Sequence, residues 1–275
     1  MRKHWTTIAL GLLAAVMLLP FLYMVSVSLM SETELLRWPP ALLPHAPTLA
    51  NYGAALEALP YGRVLMNTVL LGGCVMIGQV LTSAAAGYAF ARMRFSGRDG
   101  AFAIVLAIFA IPAILLAIPR FLLIDGLGWV DTYPGLISTE LVSVAGIVLM
   151  RHTFQVLPLG VEEAARLDGA GEWTLFWRVM FPLARPAVIT LAILAFLDQW
   201  RSFLWPLVIT RTAEMEVAEV ALARFHTTYV SNWPYQMAAA ALITPSCAGT
   251  AAAASGSVNR PTAQSARSAS LWGNM

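Results

Sequence analysis

The most distinctive chemistry in this sequence lies in one segment, residues 157–182, whose side chains are suited to binding another protein. Two adjacent alanines leave a helix surface bare enough for a partner's backbone to approach, and the charged residues beside them can orient that partner. Glycines follow at the spacing expected for a helix end and a sharp turn. The segment is therefore predicted to be a docking element, and its candidate residues are Glu163, Ala164, Ala165, Arg166, Asp168 and Gly169.

Two short helices must position these side chains. The first is predicted to begin after Pro158, with two acids in its first turn, where the helix dipole favours them, and to end at Gly169. The second, about residues 172–180, would present Trp173 and Trp177 before prolines end it. A loop of about thirty residues is long for a simple connection. The alternative is an amphipathic hairpin on the membrane surface, with the tryptophans as interface anchors.

A second candidate site lies around Asp198 and Arg201, which are three residues apart and therefore share one helical face. Charged residues at membrane depth usually face a cavity or each other. Together with Trp200, they are candidates for the polar lining of a solute path. The open alternatives are a structural ion pair and an arginine that extends to the outer interface. Another acid, Glu140, lies about 9 Å beyond Pro134 along its helix, which favours an interfacial position.

Nothing else in the sequence indicates catalysis or cofactor binding. The single lysine, Lys3, excludes a P-loop, whose lysine must reach nucleotide phosphates. The histidines are dispersed and have no metal-ligand spacing, and no nucleophile stands beside a general base. The chain is therefore predicted not to be an enzyme and to have no catalytic, cofactor-binding or metal-binding residue. Any ATP that drives it must bind to another polypeptide.

The composition assigns the chain to the membrane. Of its 275 residues, 59% are hydrophobic and only 12% are charged, and the mean hydropathy is +0.70. Soluble domains carry about twice that charged fraction, which argues against a cytosolic enzyme, a nucleic-acid binder or a disordered adaptor. A bilayer core needs about 20 apolar residues per crossing helix. Five segments meet that requirement: residues 8–30, 64–91, 101–119 (kinked near Pro112), 134–150 and 186–210.

Basic residues set the predicted orientation. With the N-terminus in the cytoplasm, most arginines fall in the inner segments and most acids in the outer ones, as the positive-inside rule requires. The docking segment then lies in the cytoplasm. The expected fold is an all-α, multi-pass helical bundle that spans a membrane. Residues 1–245 form its transmembrane domain and residues 156–183 its cytoplasmic loop.

The sixth span is degraded. It should begin near Tyr235, but after Pro245 the sequence is rich in alanine and serine and has few strongly apolar side chains. Such side chains supply the free energy of membrane insertion, so residues 246–275 are interpreted as an atypical low-complexity tail. One hypothesis is a frameshifted terminus that leaves a non-functional subunit with five sound spans. An apolar helix encoded in a neighbouring reading frame would support it.

The docking segment also follows a longer pattern. Glu163-Ala164-Ala165 is followed by Gly169 and then by Pro182 at fixed offsets, between two spans on the cytoplasmic side. The pattern resembles the EAA motif of permease subunits of binding-protein-dependent ABC importers, and it is most similar to the second permease of maltose and glycerol-3-phosphate importers. Further matching stretches are Asn51-Tyr52, Asn67-Thr68, residues 88–95 with 97–98, Ile118-Pro119, Leu127-Gly128 and residues 203–207.

This resemblance implies a transport subunit with several partners. The first helix of the loop would be the coupling helix, seated in a groove on an ATPase subunit, and Pro182 would complete the motif. The complex would include a second permease, two ATPase subunits that hold ATP and magnesium, and an extracytoplasmic solute-binding protein. The solute would be a sugar or related compound. At Trp200 and Phe203 the chain matches the family's Trp-Asn-Asp/Glu-Phe pattern, but Arg201 and Ser202 replace its polar pair.

A rival hypothesis is a self-contained channel or secondary transporter. It would need an ion-coupling or selectivity site at mid-membrane, for which only Asp198 and Arg201 qualify. Co-purification in mild detergent separates the two hypotheses, because an importer subunit should retain an ATPase.

Overall fold

Helices form most of the chain that the computed structural model describes, which is residues 2–35, 37–38, 41–228 and 233–243. No β-strand occurs among these residues. The α-helices are numbered in chain order: α1 (Arg2–Ser28), α2 (Glu32–Leu35), α3 (Ala50–Ala58), α4 (Tyr61–Arg92), α5 (Arg98–Phe109), α6 (Ala117–Gly126), α7 (Tyr133–Ile137), α8 (Val144–Val156), α9 (Leu159–Leu167), α10 (Glu172–Thr174), α11 (Phe181–Leu183), α12 (Arg185–Trp200), α13 (Leu204–Ile209) and α14 (Ala218–Thr228). Residues 233–243 are also helical, and shorter turns occur at Ala113–Leu116, Ser138–Glu140 (both 3₁₀) and Leu175–Met180 (π).

Two helices, within α1 and α4, are long and apolar enough to cross a bilayer as single rods. Three bent pairs are the other candidates among the described residues, which gives up to five spans if each pair crosses once. The pairs are Arg98–Phe109 with Ala113–Gly126 (94°), Tyr133–Glu140 with Val144–Val156 (43°) and Glu172–Leu183 with Arg185–Trp200 (77°). The predicted all-α membrane class is confirmed.

Three predicted spans contain a break: those at 134–150 and 186–210, which were expected to be continuous, and the one at 101–119, whose predicted kink near Pro112 is confirmed. The span predicted at 101–119 turns sharply before Ala113, because the ring of Pro112 clashes with the carbonyl four residues earlier and offers no N–H. The span predicted at 186–210 ends at Trp200 and resumes as α13; Pro206 imposes the same clash on the intervening turn. Residues 233–243, where a sixth span is predicted to begin, are helical. The rest of that span and the predicted tail at 246–275 lie outside the described residues.

The chain divides into two compact units, and the first comprises Met1–Asn67 with Thr212–Cys247. In it the buried amide of Asn67 donates hydrogen bonds to the carbonyl oxygens of Glu214, at 2.8 Å, and Glu216, at 2.9 Å. Backbone carbonyls outside helices need such partners when they are buried. This contact holds the segment before α14 to the first turns of α4.

Asn51 has the same role at the end of α1. Its amide donates to the carbonyl oxygens of Ser28 and Met30, both at 2.8 Å, and the neighbouring Tyr52 hydroxyl lies 2.7 Å from the Ser28 hydroxyl. The last carbonyls of a helix have no intrahelical donor. The polar side chains of α3 therefore supply hydrogen-bond partners to the residues at the end of α1.

The second unit contains the docking segment within Thr68–Arg211. Tyr88 is at the centre of its core, with its ring 5.5 Å from that of Phe154 and 5.2 Å from that of Phe176. The core thus packs α4, α8, α12 and the second helical stretch of the docking segment together. Its buried residues are Val80, Ala84, Tyr88, Met150, Phe154, Leu175, Phe176, Met180, Ala184 and Leu191.

Small residues let α4 and α8 approach closely. A Cβ at Gly87 would lie 2.7 Å from Met150 Cβ and 2.7 Å from the Arg151 backbone nitrogen, and one at Gly146 would lie 2.4 Å from the Ser83 hydroxyl. Membrane helices commonly pack through such small-residue surfaces. This pair of helices is the frame to which the docking segment attaches.

Candidate functional site

The docking segment begins with α9, which ends in a Schellman turn. Gly169 has a φ of +84°, a conformation that favours glycine. Its N–H donates to the Arg166 carbonyl and the Ala170 N–H donates to the Ala165 carbonyl, both at 3.0 Å. These two bonds satisfy the last carbonyls of α9. The helix stop predicted at Gly169 is confirmed.

Most of the predicted docking residues lie on the open side of α9. Glu163, Ala164, Asp168 and Gly169 are exposed, and the side chain of Arg166 is about half exposed. Ala165 is half-buried against the core. Leu167 joins the exposed set and is 89% exposed. An apolar side chain this open is suited to contact a partner, although the sequence motif does not include it.

Glu162 is the buried anchor of α9 and is only 3% exposed. One of its carboxylate oxygens lies 3.6 Å from Arg92 Nη1, and the other lies 2.8 Å from Arg166 Nη2. The Arg92 side chain is also buried, at 6% exposure. Buried charges must be paired, because leaving one uncompensated is strongly destabilising. This ion pair fixes α9 to the last residue of α4.

Arg92 also fixes the end of α8. Its Nε donates to the Phe154 carbonyl at 2.9 Å, and its Nη2 donates to the Leu157 carbonyl. A guanidinium is suited to this position because it has five donors in a rigid fork. One arginine therefore joins the C-terminal ends of α4 and α8 to α9.

Glu172 links α9 to the second helical stretch. Its Oε1 accepts from Arg166 Nη2 at 2.9 Å, and its Oε2 accepts from the Tyr88 hydroxyl at 3.2 Å. The hydrogen bond to Glu172 raises the pKa of the Arg166 guanidinium above its ordinary value. We call Arg92, Glu162, Arg166, Glu172 and Tyr88 the anchor network.

A cavity of about 600 Å³ opens beside α9. Its charged lining combines both signs, so a polar side chain of a partner would find donors and acceptors there. The charged residues that line it are Arg92, Arg94, Arg98, Glu162, Glu163, Arg166 and Glu172.

The second helical stretch runs from Glu172 to Leu183, slightly past its predicted end. Trp173 is 76% exposed, whereas Trp177 packs against Phe181, with ring centroids 5.2 Å apart. Pro182 is half-buried within α11, so it is not part of the exposed surface of α9. Proline is tolerated at the start of a helix, such as the second residue of α11, because the N–H group there has no intrahelical acceptor.

The predicted path residues separate into two groups. Asp198 and Arg201 are exposed, form no ion pair with each other among the described contacts, and line a cavity of about 350 Å³ together with Gln79. Trp200 does not line this cavity: it is 4% exposed and its ring lies 5.8 Å from that of Phe196. Residues two apart on a helix point in different directions, which explains the separation.

The fold and the docking segment define a class of protein: an all-helical membrane protein whose long helices are tied to a short helix with an exposed face. The family model described as "Binding-protein-dependent transport system inner membrane component" matches residues 79–254. The chain belongs to this family and is a permease subunit of an ABC importer. The match runs past residue 245, where the predicted transmembrane domain ends.

Several curated relatives are similar over most of their length. The arabinooligosaccharides transport system permease protein AraQ of Halalkalibacterium halodurans is 33% identical over 84% of each chain. The sn-glycerol-3-phosphate transport system permease protein UgpE of Agrobacterium fabrum is 29% identical over 81% of this chain and 82% of its own. The diacetylchitobiose uptake system permease protein NgcG of Streptomyces coelicolor is 30% identical over 84% and 76%.

A solved structure has a similar fold. It is a chain of a bacterial ABC transporter involved in the import of the acidic polysaccharide alginate, with a TM-score of 0.72 and 25% identity over 88% of this chain and 90% of that chain. The carbohydrate-type resemblance seen in the sequence is thus confirmed by relatives and by fold.

The family assignment tests the predictions about catalytic activity and cofactors, about localisation, and about the rival hypothesis. Its members are transport subunits without catalytic activity or a cofactor, and ATP is bound by a partner ATPase. The chain is a multi-pass membrane protein of a bacterial importer that works with a binding protein. The rival hypothesis of a self-contained channel or secondary transporter is wrong, because the chain belongs to a family that depends on other subunits.

Proposed function

We propose that this chain is one of two permease subunits of an ATP-driven importer that carries a sugar or related solute across the inner membrane. The observation that carries the proposal is the exposed face of α9, held to the spans by a buried ion pair between Glu162 and Arg92. The relatives transport, by name, arabinooligosaccharides, diacetylchitobiose and sn-glycerol-3-phosphate, which favours a carbohydrate or polyol-like solute.

In this proposal the coupling residues are those of α9 and its end. Two ATPase subunits, which hold ATP and magnesium, would grip this helix and its counterpart on a second, different permease. When ATP closes the ATPase dimer, the anchor network would transfer the displacement of α9 to α4 and α8. The spans would then rock between inward-open and outward-open states. The coupling residues are Glu163, Ala164, Ala165, Arg166, Asp168, Gly169 and Pro182.

The solute would enter from an extracytoplasmic binding protein on the outer loops and pass Asp198 and Arg201. Both line an open cavity in the second unit, and charged residues at membrane depth are typical of solute pathways. In this orientation the N-terminus and α9 are cytoplasmic. The proposal keeps Trp200 out of the path, because its side chain is buried.

The test is a charge reversal on the exposed face of α9. Glu163→Lys should leave the chain in the membrane but abolish ATP-driven solute uptake and weaken co-purification of the ATPase. The matched control is Asp99→Lys, which reverses another acid, whose side chain is 82% exposed, and which should transport normally. Full uptake by a well-expressed Glu163→Lys variant would refute the coupling role.

A further inference from the structure

A group of polar side chains outside the docking segment lies around Arg120 and Glu140. The two form an ion pair, and Gln199 Nε2 lies 3.4 Å from the second carboxylate oxygen of Glu140. The Arg120 guanidinium carbon lies 4.1 Å above the centre of the Trp205 ring, a distance at which a cation is attracted to the ring face. The group therefore joins α6, the turn at Ser138–Glu140, α12 and α13.

This group lies at membrane depth. Gln79 Nε2 donates to the Glu140 carbonyl at 2.8 Å, and Gln79 lies 13 residues before Arg92, the last residue of α4. That separation is about 20 Å along the helix axis, whereas the hydrocarbon core of a bilayer is about 30 Å thick. This distance favours a position within the hydrocarbon core, deeper than the interfacial position predicted for Glu140.

The ion pair is open on one side. The side chains of Arg120 and Glu140 are 23% and 21% exposed in this chain, next to a cavity of about 210 Å³. Charged groups at membrane depth do not face lipid but a water-filled cavity or another polar group. The open side consequently faces a solute path or another subunit.

Three helix breaks meet at this cavity. Ala113 follows the 94° bend after α5, Glu140 precedes the bend before α8, and Phe203 lies between α12 and α13. Irregular backbone at membrane depth is tolerated only inside the protein or along a cavity. Transporters commonly bind solutes near the bilayer midplane at discontinuous helices of this kind.

We infer that this cavity binds an uncharged, polyhydroxylated solute, such as a neutral sugar unit, during its passage. The carboxylate of Glu140 can accept from solute hydroxyls and the guanidinium of Arg120 can donate to them. Phe203 lines the cavity and is 40% exposed, so its ring offers an apolar surface to the C–H face of a sugar. The inference deepens the proposed function and rests on it.

The net charge of the cavity lining favours an uncharged solute. Arg120 and Glu140 are the only two charged residues lining the cavity among the described residues, and their charges cancel. A phosphorylated or acidic solute would meet the Glu140 carboxylate with no cation in excess, which costs free energy in a site of low dielectric. A neutral sugar meets no such penalty.

Binding to the purified complex tests this inference. Isothermal titration would measure the affinity of the detergent-purified importer for the neutral probes maltose, arabinobiose and diacetylchitobiose and for the anionic probe sn-glycerol-3-phosphate. We expect at least one neutral probe to bind, and the anion not to bind. Phe203→Ala and Glu140→Gln should each weaken that binding about tenfold. The control Phe95→Ala removes a ring that is 45% exposed outside the cavity and should change nothing.

The outcomes separate this inference from the proposed function. Binding of the anion, failure of all three neutral probes to bind, or unchanged affinities in both Phe203→Ala and Glu140→Gln would overturn the solute site. The Glu163→Lys variant should still bind the sugar while losing uptake. If Glu163→Lys retains full uptake, the proposed coupling role of α9 fails instead, whatever the titrations give.

Discussion

The anchor network makes a quantitative prediction about two adjacent glutamates. Glu162 is buried between Arg92 and Arg166, whereas Glu163 is exposed on the face proposed to dock the ATPase. We therefore expect Glu162→Leu to loosen the attachment of α9 and Glu163→Leu to leave it intact. The two variants make the same chemical change one residue apart.

The expected magnitudes follow from burial. Glu162→Leu leaves the guanidinium of Arg92 buried with only the carbonyls of Phe154 and Leu157 as partners. Removing one member of a buried ion pair costs about 3–5 kcal/mol. Arg92→Met costs less, about 1–3 kcal/mol, because Glu162 keeps Arg166 at 2.8 Å. In the double variant Arg92→Met/Glu162→Leu, neither buried charge is left without its partner. The loss of unfolding free energy should therefore be smaller than the sum of the two single losses by about 1–3 kcal/mol.

Two measurements check these values. Denaturant titration of the purified chain in detergent gives the free energy of unfolding of each variant, and limited proteolysis reports whether α9 is released from the spans. Uptake in cells is measured in parallel. Glu162→Leu should lose both stability and uptake, whereas Glu163→Leu should lose uptake alone.

The reasoning is refuted if Glu162→Leu is as stable as Glu163→Leu. It is also refuted if the losses of Arg92→Met and Glu162→Leu are additive, because additivity would mean that the two residues do not interact across the α4–α9 contact.

Two further predictions concern packing and topology. Gly87→Ala should destabilise the chain by about 1–3 kcal/mol, because its Cβ would meet α8 at 2.7 Å; Gly73→Ala in the same helix has open space around it and should stabilise by up to about 1 kcal/mol, as thermal unfolding would show. A cysteine placed at Asp168, in a background without native cysteines, should react with an impermeant maleimide only after the cells are opened. One placed at Asp125 should react in intact cells, and the reverse pattern would contradict the N-terminus-inside orientation.

The sequence determined the class of the protein and the local shape of its docking segment. A 59% hydrophobic composition with few charges is enough to assign a membrane protein, because apolar runs of span length have no other stable environment. The helix stop at Gly169 was equally predictable, since a positive φ and the Schellman bonds are local properties of the chain.

Membrane depth and burial were not predictable in the same way. Counting along a straight helix from Pro134 predicts an interfacial Glu140, whereas the break after that residue and its contact with Gln79 of α4 favour a deeper position. The break between α12 and α13 near Pro206 was likewise not predicted, whereas the kink near Pro112 was. A hydropathy pattern records the length of an apolar run but not the direction of its axis.

The anchor network was decided by tertiary structure alone. Glu162 and Glu163 are indistinguishable as two acids in the first turn of a predicted helix, and only the packing of α9 against α4 buries the first and exposes the second. Its partner Arg92 is distant in the sequence, so no local spacing connects them. A motif can mark a candidate docking helix. The contacts that attach this helix to the membrane-spanning helices are long-range, so they depend on the tertiary structure.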